Sequence, residues 1–537
     1  MDSVQTRERD NTPDFTTEAL FSLPPGCIPD AVTSDGHVVA FWGQPDGRIR
    51  FVWDGIAGEP FDEVPDMRDK LPAIFCSEDG AHLAYAGVRG EKSFVGRDGT
   101  EEPTGEGFSR SVPPVFSPDG RHLAYGAYRD GEFRLIVDGE VPGELPIAPI
   151  GAVFSPDGER LAFVEVRGTD EASAEHRIVL DGTPGRWFRG MRNAQGAMQF
   201  SPDSRRFAYY RIDGEGHAQW IVDGVPQRLT NDVRPIGLAQ LRGIGVLEPP
   251  LIVCFSPDSR RFVYFADVLE KGVAIVEDDV PGPLFKAVGW PVFSPDSRHL
   301  AYVGQRYSKQ LTLIVDGTPG PDWPGSATGT PVFSADGRHT ALTVHREAGN
   351  ILRKRHHYAL AVDGRILTDV EGDDVSFAPG FSPDGTRVAW WIGHGEVSHV
   401  MVNDTRHADE AIGLGEPAFT SAGRLVYAAV LVPQGSVTIL IDGRPGPLAD
   451  VIEDRHTTIA SFDDPRTGKS TPSFSISPDG VHVIWAGLFG DEVRLVFDDH
   501  VGPSFDHVIS SAFGADGRAT WWAQRGEVIH RVTAWPN

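Results

Sequence analysis

The chain has 537 residues, 40% of them hydrophobic and 23% charged, and its formal net charge is −27. Acidic residues outnumber basic ones 76 to 49, so the basic stripe that phosphate contacts require is absent, and we expect no nucleic-acid binding. The amino-terminal sequence is polar and no apolar run approaches the roughly 18 residues of a membrane span, so neither export nor membrane insertion is expected. Cys27, Cys76 and Cys254 have no close spacing, which predicts reduced thiols in a cytoplasmic protein. The excess of arginine over lysine suggests a bacterial source.

A repeat of about 40 residues runs along the whole chain. Clear copies begin at Val115 (VFSPDGRHLAYGAYRDGEFRLIVDG), Val153 and Val292. The position of the turn serine recurs twelve times, at Thr33, Ser77, Ser117, Ser155, Ser201, Ser256, Ser294, Ser334, Ser382, Thr420, Ser477 and Gly514. Four short apolar runs per unit at this period predict the blades of an all-β propeller.

Each unit predicts four antiparallel strands, which we call A (VFS), B (LAYG), C (LIV) and D in chain order. The Ser-Pro-Asp-Gly segment predicts a tight A–B turn, and the Asp-Gly segment after strand C predicts a second tight turn. These two turns hold 21 of the 76 acidic residues, which leaves an acidic excess of only 6. Ser204, Ser259 and Ser297 replace the turn glycine, at an expected strain of about 1 kcal/mol each.

Ring closure can also be predicted. The last unit has no strand D, whereas an unassigned D-like stretch, EALFSLPPG, precedes the first unit. We therefore expect the amino terminus to supply the missing outer strand and so cover an exposed edge. Twelve blades exceed the usual four to eight, so we expect a polar tail over 1–19 and two six-bladed rings over 20–288 and 289–537. One large ring and a five-plus-seven division are the alternatives.

Nearly all the length variation falls in the B–C and D–A connections. In a four-stranded meander these connections lie on the rim opposite the tight turns, and we call this rim the loop face. The longest insertions are Thr169–His176, Thr230–Pro250, His345–His357 and Glu453–Pro472. Because variable loops on a rigid scaffold commonly carry binding sites, the loop face is the expected functional surface.

The units resemble the WD-like, TolB-type propeller repeat, whose pattern is an FSPDG turn, an apolar strand and a second strand that ends in a DG turn. The resemblance covers about residues 20 to 535. It implies a propeller fold and, from the family, either a scaffold that binds peptides and partner proteins or the gating propeller of a serine oligopeptidase. The chain has no α/β-hydrolase domain and no G-x-S-x-G elbow, so peptidase activity of that type is not expected.

Two sets of residues on the loop face are candidates for binding an anionic group. The first is a cation twelve residues after the turn serine, where strand B ends: Arg89, Arg129, Arg167, Arg306, Arg346 and His394. The second comprises basic residues of two insertions: Arg353, Arg355, His356 and Arg455. Arginine binds carboxylate and phosphate bidentately. The alternative for the first set is structural, with each side chain covering the apolar edge of a blade.

Catalytic residues cannot be assigned from the sequence. His456 with Asp454 or Asp463 would supply the groups for acid–base chemistry, but no motif fixes their geometry. No metal site is expected, because the adjacent residues His356 and His357 would point to opposite faces of a strand. No cofactor is expected.

The sequence favours a cytoplasmic scaffold that binds a protein or peptide on the loop face, and an anionic small molecule is the other partner considered. Whether the protein is an enzyme stays open. The main alternative is a biosynthetic enzyme of lyase, cyclase or hydrolase type with an acid–base pocket on the same face, and a further one is a small-ligand sensor.

Overall fold

We describe the protein from a computed structural model. The structure describes residues 13–535 except 65, 69–70, 73, 106, 109–111, 130–131, 142–148, 169–173, 190–197, 213–217, 228–232, 235–252, 269–271, 307–309, 328, 351–352, 373–378, 395–396, 408–410, 432–434 and 453–473. These residues are all-β and form twelve small antiparallel sheets of four or five strands and one two-stranded hairpin. They contain no helix long and apolar enough to cross a membrane.

Strand β1 (Thr16–Ser22) precedes the first blade in the chain. The first blade has β2 (Ala31–Val32), β3 (Val38–Gly43), β4 (Ile49–Trp53) and β5 (Ile56–Ala57). A small hairpin follows, with β6 (Asp66–Arg68) and β7 (Leu71–Pro72). The second blade has β8 (Ile74–Cys76), β9 (Leu83–Arg89), β10 (Lys92–Arg97) and β11 (Thr100–Gly105). The third has β12 (Gly107–Phe108), β13 (Val115–Phe116), β14 (Leu123–Arg129) and β15 (Glu132–Val137).

The fourth blade has β16 (Pro149–Phe154), β17 (Leu161–Arg167), β18 (Glu175–Leu180), β19 (Thr183–Pro184) and β20 (Phe188–Arg189). The fifth has β21 (Met198–Phe200), β22 (Phe207–Ile212), β23 (Ala218–Val222) and β24 (Val225–Pro226). The sixth has β25 (Val233–Arg234), β26 (Val253–Phe255), β27 (Phe262–Val268), β28 (Gly272–Glu277) and β29 (Val280–Pro281). The seventh has β30 (Ala287–Val288), β31 (Val292–Phe293), β32 (Leu300–Gln305), β33 (Gln310–Val315) and β34 (Thr318–Pro324).

The eighth blade has β35 (Ser326–Ala327), β36 (Val332–Phe333), β37 (Thr340–Asn350), β38 (Arg353–Val362) and β39 (Arg365–Glu371). The ninth has β40 (Gly380–Phe381), β41 (Val388–His394), β42 (Val397–Val402) and β43 (Thr405–His407). The tenth has β44 (Ala411–Phe419), β45 (Leu425–Leu431), β46 (Val437–Ile441) and β47 (Arg444–Pro445).

The eleventh blade has β48 (Val451–Ile452), β49 (Phe474–Ile476), β50 (Val483–Phe489), β51 (Glu492–Phe497) and β52 (His500–Phe505). The twelfth has β53 (His507–Phe513), β54 (Ala519–Arg525) and β55 (Val528–Ala534).

In the first eleven units the two tight turns lie on one rim, and the second turn bonds to the start of strand B beside the first turn. In the third blade, the buried Ser117 hydroxyl donates to Asp119 Oδ1 (2.6 Å) and accepts the amide of His122 (3.0 Å). His122 Nδ1 lies 2.7 Å from Asp138 Oδ2 in the second turn. Asp138 and Gly139 both have positive φ, 50° and 81°, as a type I′ hairpin turn requires. The short aspartate-rich turns are therefore structural.

Serine at the turn glycine position links consecutive blades. Ser204, Ser259 and Ser297 have φ between 62° and 65°, in the left-handed region expected from the sequence. Each hydroxyl accepts, at 2.9 Å, the amide of the turn aspartate in the preceding blade: Asp157, Asp203 and Asp258. The backbone strain is thus offset by a hydrogen bond between blades.

The blades form one closed series. Eleven hydrophobic clusters join every consecutive pair of blades, including the sixth with the seventh and the twelfth with the first. Phe265 and Phe285 share a cluster with Tyr302 across the sixth and seventh blades, and Val288 itself belongs to the seventh sheet. The expectation of two six-bladed rings is therefore wrong, because the sixth blade packs on the seventh and the first packs on the twelfth. The alternative, one ring of twelve, is what the packing forms.

The amino-terminal strand closes the ring, as expected. Strand β1 pairs antiparallel with β55, so that Thr16 lies opposite Thr533 and Ser22 opposite Val528. Glu18 also pairs with Arg531 at 2.6 Å. Because β1 begins at Thr16, the strand starts inside the segment expected to be a tail. It gives the twelfth blade the outer strand that its own unit lacks.

Candidate interaction surface on the loop face

The structure describes some of the candidate side chains. Those described are Arg89, Arg167, Arg306, Arg346, Arg355 and His356. Three others lie in described strands, but their side chains fall outside the described part: Arg129, His394 and Arg353. Four fall wholly outside the described residues: Asp454, Arg455, His456 and Asp463.

The end of strand β9 shows what the recurring arginine does. The Arg89 guanidinium lies 4.1 Å from the ring centroid of Phe61 and pairs with Glu101. It also donates to the carbonyl oxygens of Pro60 (3.2 Å) and Glu59 (3.1 Å) in the connection from the first blade. This arginine therefore covers an apolar ring and joins two blades, which are the contacts of the structural alternative.

A glycine in strand B makes room for that ring. A Cβ atom on Gly87 would lie 2.3 Å from the Phe61 ring, so only glycine fits there. The seventh blade repeats the arrangement: Arg306 lies 5.3 Å from the Phe285 ring, and a Cβ on Gly304 would lie 2.6 Å from the same ring. Glycine and arginine two residues apart thus form the packing site for the aromatic residue of the preceding connection.

Arg525 is a member of this set that sequence reasoning missed. It ends strand B of the twelfth blade, and its guanidinium lies 4.5 Å from the Phe505 ring centroid. It lies eleven residues after Gly514, not twelve, so a search for a cation twelve residues after the turn serine position does not find it. The signal that could have found it is the Arg-Gly pair at the B–C turn, which Arg89 and Gly90 also show.

The fourth blade departs from this pattern. The guanidinium groups of both Arg167 and Arg177 contact the half-buried Trp187 ring, at 4.2 and 4.5 Å from its centroid. Arg167 pairs with Glu175 (2.6 Å), and Arg177 pairs with Glu165, which is fully buried. Glu165 Oε1 has no hydrogen-bond partner within the described part of the chain. The blade therefore presents a partly exposed indole between two arginines.

Among the described residues of the loop face, the eighth blade carries an unusually long hairpin. Strands β37 and β38 have 11 and 10 residues, whereas the other B and C strands have 5 to 7. About four additional residues per strand extend this hairpin by about 13 Å. Arg353, Lys354 and Arg355 lie consecutively at the start of β38. We call the segment 345–358 the basic hairpin.

Acidic residues of β39 anchor one face of the basic hairpin. Arg346 lies opposite His357, and both pair with Asp369, His357 at 3.2 Å. Arg355 lies 3.8 Å from Glu371, and its side chain remains 65% exposed. The loosely paired, exposed Arg355 is therefore accessible to an anionic group.

Residues of the opposite face of the basic hairpin stack on one another. His345 Nε2 lies 2.9 Å from His356 Nδ1, and the angle between the two ring planes is 15°. Tyr358, directly opposite His345, has its ring centroid 4.9 Å from that of His345. His356 and His357 thus point to opposite faces, as the strand geometry predicted.

A cavity of about 320 Å³ lies elsewhere, between the second and third blades. The buried side chains of Val95, Leu123 and Tyr125 line it, together with the charged side chains of Arg97 and Asp138. In the described part of the chain, no three histidine, cysteine, aspartate or glutamate side chains converge as a metal cluster.

Burial shifts the pKa of two described histidines, His176 and His407. Burial lowers the pKa of His176, whose ring stacks on Phe188. Burial also lowers the pKa of His407, which lies 3.1 Å from the Tyr427 hydroxyl. These imidazoles favour the neutral form because burial penalises the charged form, and the charge of Arg387 also lowers the pKa of His407.

Strand order and packing define the class of protein: the chain is a twelve-bladed β-propeller. No family model matches it. No curated protein matches it either. Among solved structures, one titled "Structure of Dos1 propeller" is similar at 10% identity, over 63% of this chain and 90% of that chain, with a TM-score of 0.28. The fold assignment accordingly rests on the strand pairing.

Proposed function

We propose that this propeller is a non-catalytic scaffold of the TolB-type repeat class that binds an acidic segment of a partner protein or peptide through its loop face. The observation that carries the proposal is the basic hairpin of the eighth blade. Its two strands are longer than the other B and C strands, and it concentrates positive charge in a chain of net charge −27.

The charge distribution of the propeller favours one orientation of an acidic partner segment. A partner with an acidic segment is repelled by the net negative charge of the propeller. The basic hairpin is an exception, because its cations lie on the rim opposite the aspartate-rich turns. Screening acts over about 8 Å at physiological ionic strength, so an arm that extends by about 13 Å presents its charge largely free of the rest of the molecule. Charge complementarity of this kind selects partners and sets their orientation.

The recurring arginines stabilise the rim that carries the basic hairpin. Arg89, Arg306 and Arg525 fix the connections between blades by covering Phe61, Phe285 and Phe505. A rigid rim holds a binding arm in place, which lowers the ordering entropy that binding requires. A direct contact between these arginines and a carboxylate of the partner belongs to the same proposal.

A cytoplasmic location is part of the proposal. The thiols of Cys27 and Cys76 are free and at least half-buried, which suits a reducing compartment. The alternative of an acid–base pocket has its candidate residues, His456, Asp454 and Asp463, outside the described part of the chain. No observation favours it.

The test compares two charge reversals of equal size in the full-length protein. One replaces Arg353, Lys354 and Arg355 by glutamate. The control replaces Arg260, Arg298 and Arg338, which lie on the tight-turn rim and are 81% to 85% exposed. Affinity capture with quantitative mass spectrometry should show at least a tenfold loss of the enriched partner with the first variant and none with the control. A partner that both variants retain, or both lose, would contradict the proposal.

A further inference from the structure

Two histidines from different strands meet on the basic hairpin. His345 lies in β37 opposite Tyr358, and His356 lies in β38 opposite Glu347, so the two histidines are two register positions apart on the same face of the hairpin. Their ring nitrogens, Nε2 and Nδ1, approach to 2.9 Å. Both side chains are partly exposed, so solvent ions can reach them.

This separation suits two imidazoles that share one metal ion. Two metal–nitrogen bonds of about 2.0 Å at a right angle place the nitrogens about 2.8 Å apart, and a tetrahedral zinc site places them about 3.3 Å apart. The two ring planes are nearly parallel, with centroids 5.1 Å apart. Each lone pair must turn by about 35–45° from the N···N line for both to meet at one ion.

The contact between these two rings differs from the contacts of the histidines at the tight turns. His82, His122 and His482 each direct Nδ1 at the carboxylate of an aspartate, at 2.7 to 2.8 Å. In the hairpin pair each ring faces another imidazole. A single proton then suffices for the hydrogen bond. When a cation binds, tautomerisation places that proton on the second nitrogen of its own ring, so both imidazoles bind as neutral ligands.

We propose that His345 and His356 form a two-ligand site for a divalent transition-metal ion, with water in the remaining positions. Imidazole nitrogen suits copper, nickel and zinc, and affinity for such ligands is greatest for Cu²⁺. Calcium and magnesium prefer oxygen ligands and are not expected to bind. A bound ion would cross-link the two strands at the base of the projecting arm.

The test uses the full-length protein without an affinity tag, titrated with Cu²⁺, Ni²⁺ and Zn²⁺. Wild-type protein should give a Cu²⁺ electron paramagnetic resonance spectrum with two equatorial nitrogens. His345→Ala and His356→Gln should each weaken binding of that ion at least tenfold. His357→Ala, on the opposite face of the same strand, is the matched control and should bind like the wild type.

Thermal unfolding without metal confirms that each variant is folded, and Zn²⁺ should raise the midpoint of the wild type but not of His345→Ala. The proposal is overturned if His345→Ala and His356→Gln retain the two-nitrogen spectrum, or if His357→Ala loses it to the same degree. A wild-type spectrum without two nitrogens would overturn it as well.

Discussion

Replacing Gly87 with alanine should force a methyl group against the ring of Phe61. An added Cβ would lie 2.3 Å from that ring, far inside van der Waals contact. Phe61 cannot move aside easily, because it is fully buried and Arg89 covers it at 4.1 Å from its centroid. Gly87 lies in strand B of the second blade, and Phe61 lies in the connection from the first blade. The loss of stability in Gly87→Ala therefore reports on the contact between these two blades.

The expected magnitudes follow from overpacking and from cavity formation. Gly87→Ala should destabilise the protein by about 1–3 kcal/mol, as an inserted methyl group does in a filled core. Phe61→Ala should destabilise it by about 3–5 kcal/mol. In the double variant the new methyl group enters the space that the ring has left. Alanine is then favoured over glycine by about 0.5–1 kcal/mol, so the second change should be neutral or stabilising.

The assay is a double-mutant cycle measured by urea denaturation, with hydrogen exchange of residues 83–89 as a local readout. The two changes should couple by about 1–3 kcal/mol. Gly43→Ala is the matched control, because an added Cβ there meets no atom within 4 Å, and it should show no coupling to Phe61→Ala. Additive costs for Gly87 and Phe61 would refute the contact and the inter-blade packing inferred from it.

Three further predictions concern the turns, the closure and the thiols. The Ser382 hydroxyl bond lowers the pKa of Asp384 to about 2; the stability from this carboxylate is present above its ordinary pKa and is lost as pH falls towards 2. Ser382→Ala should raise the pKa and weaken that acid dependence, which carboxyl NMR titration and urea midpoints at pH 2–5 would check. Deleting residues 1–22 should expose the edge of β55 and cause association, seen by light scattering; a monomer with unchanged exchange in β55 would contradict ring closure. Burial raises the pKa of Cys27 to about 11 and of Cys76 to about 12, so both should resist thiol reagents at pH 8 until denaturant is added, and rapid labelling of either one would contradict its placement.

The repeat allowed most of the fold to be predicted, because tight turns with Ser-Pro-Asp-Gly and Asp-Gly encode their own geometry. The closing strand was also predictable, since one unit lacks a strand that the amino terminus supplies. The number of rings could not be predicted from the sequence. That number depends on which blades share a core, and Phe285 pairs the sixth and seventh blades without any local sequence mark.

The candidate surface could be predicted only in outline. Spacing located the arginines but not their partners, because Phe61 comes from a different blade than Arg89. Sequence also indicated that His356 and His357 point apart. It could not show that His345 meets His356, because that contact depends on the register of an unusually long hairpin.

The number of blades around one axis tests the account most directly. Electron cryomicroscopy of the full-length protein, viewed along the axis, should show a single annulus of twelve blades, with the amino-terminal strand completing the last one. Two separate rings of six, or a gap between the twelfth and first blades, would contradict it.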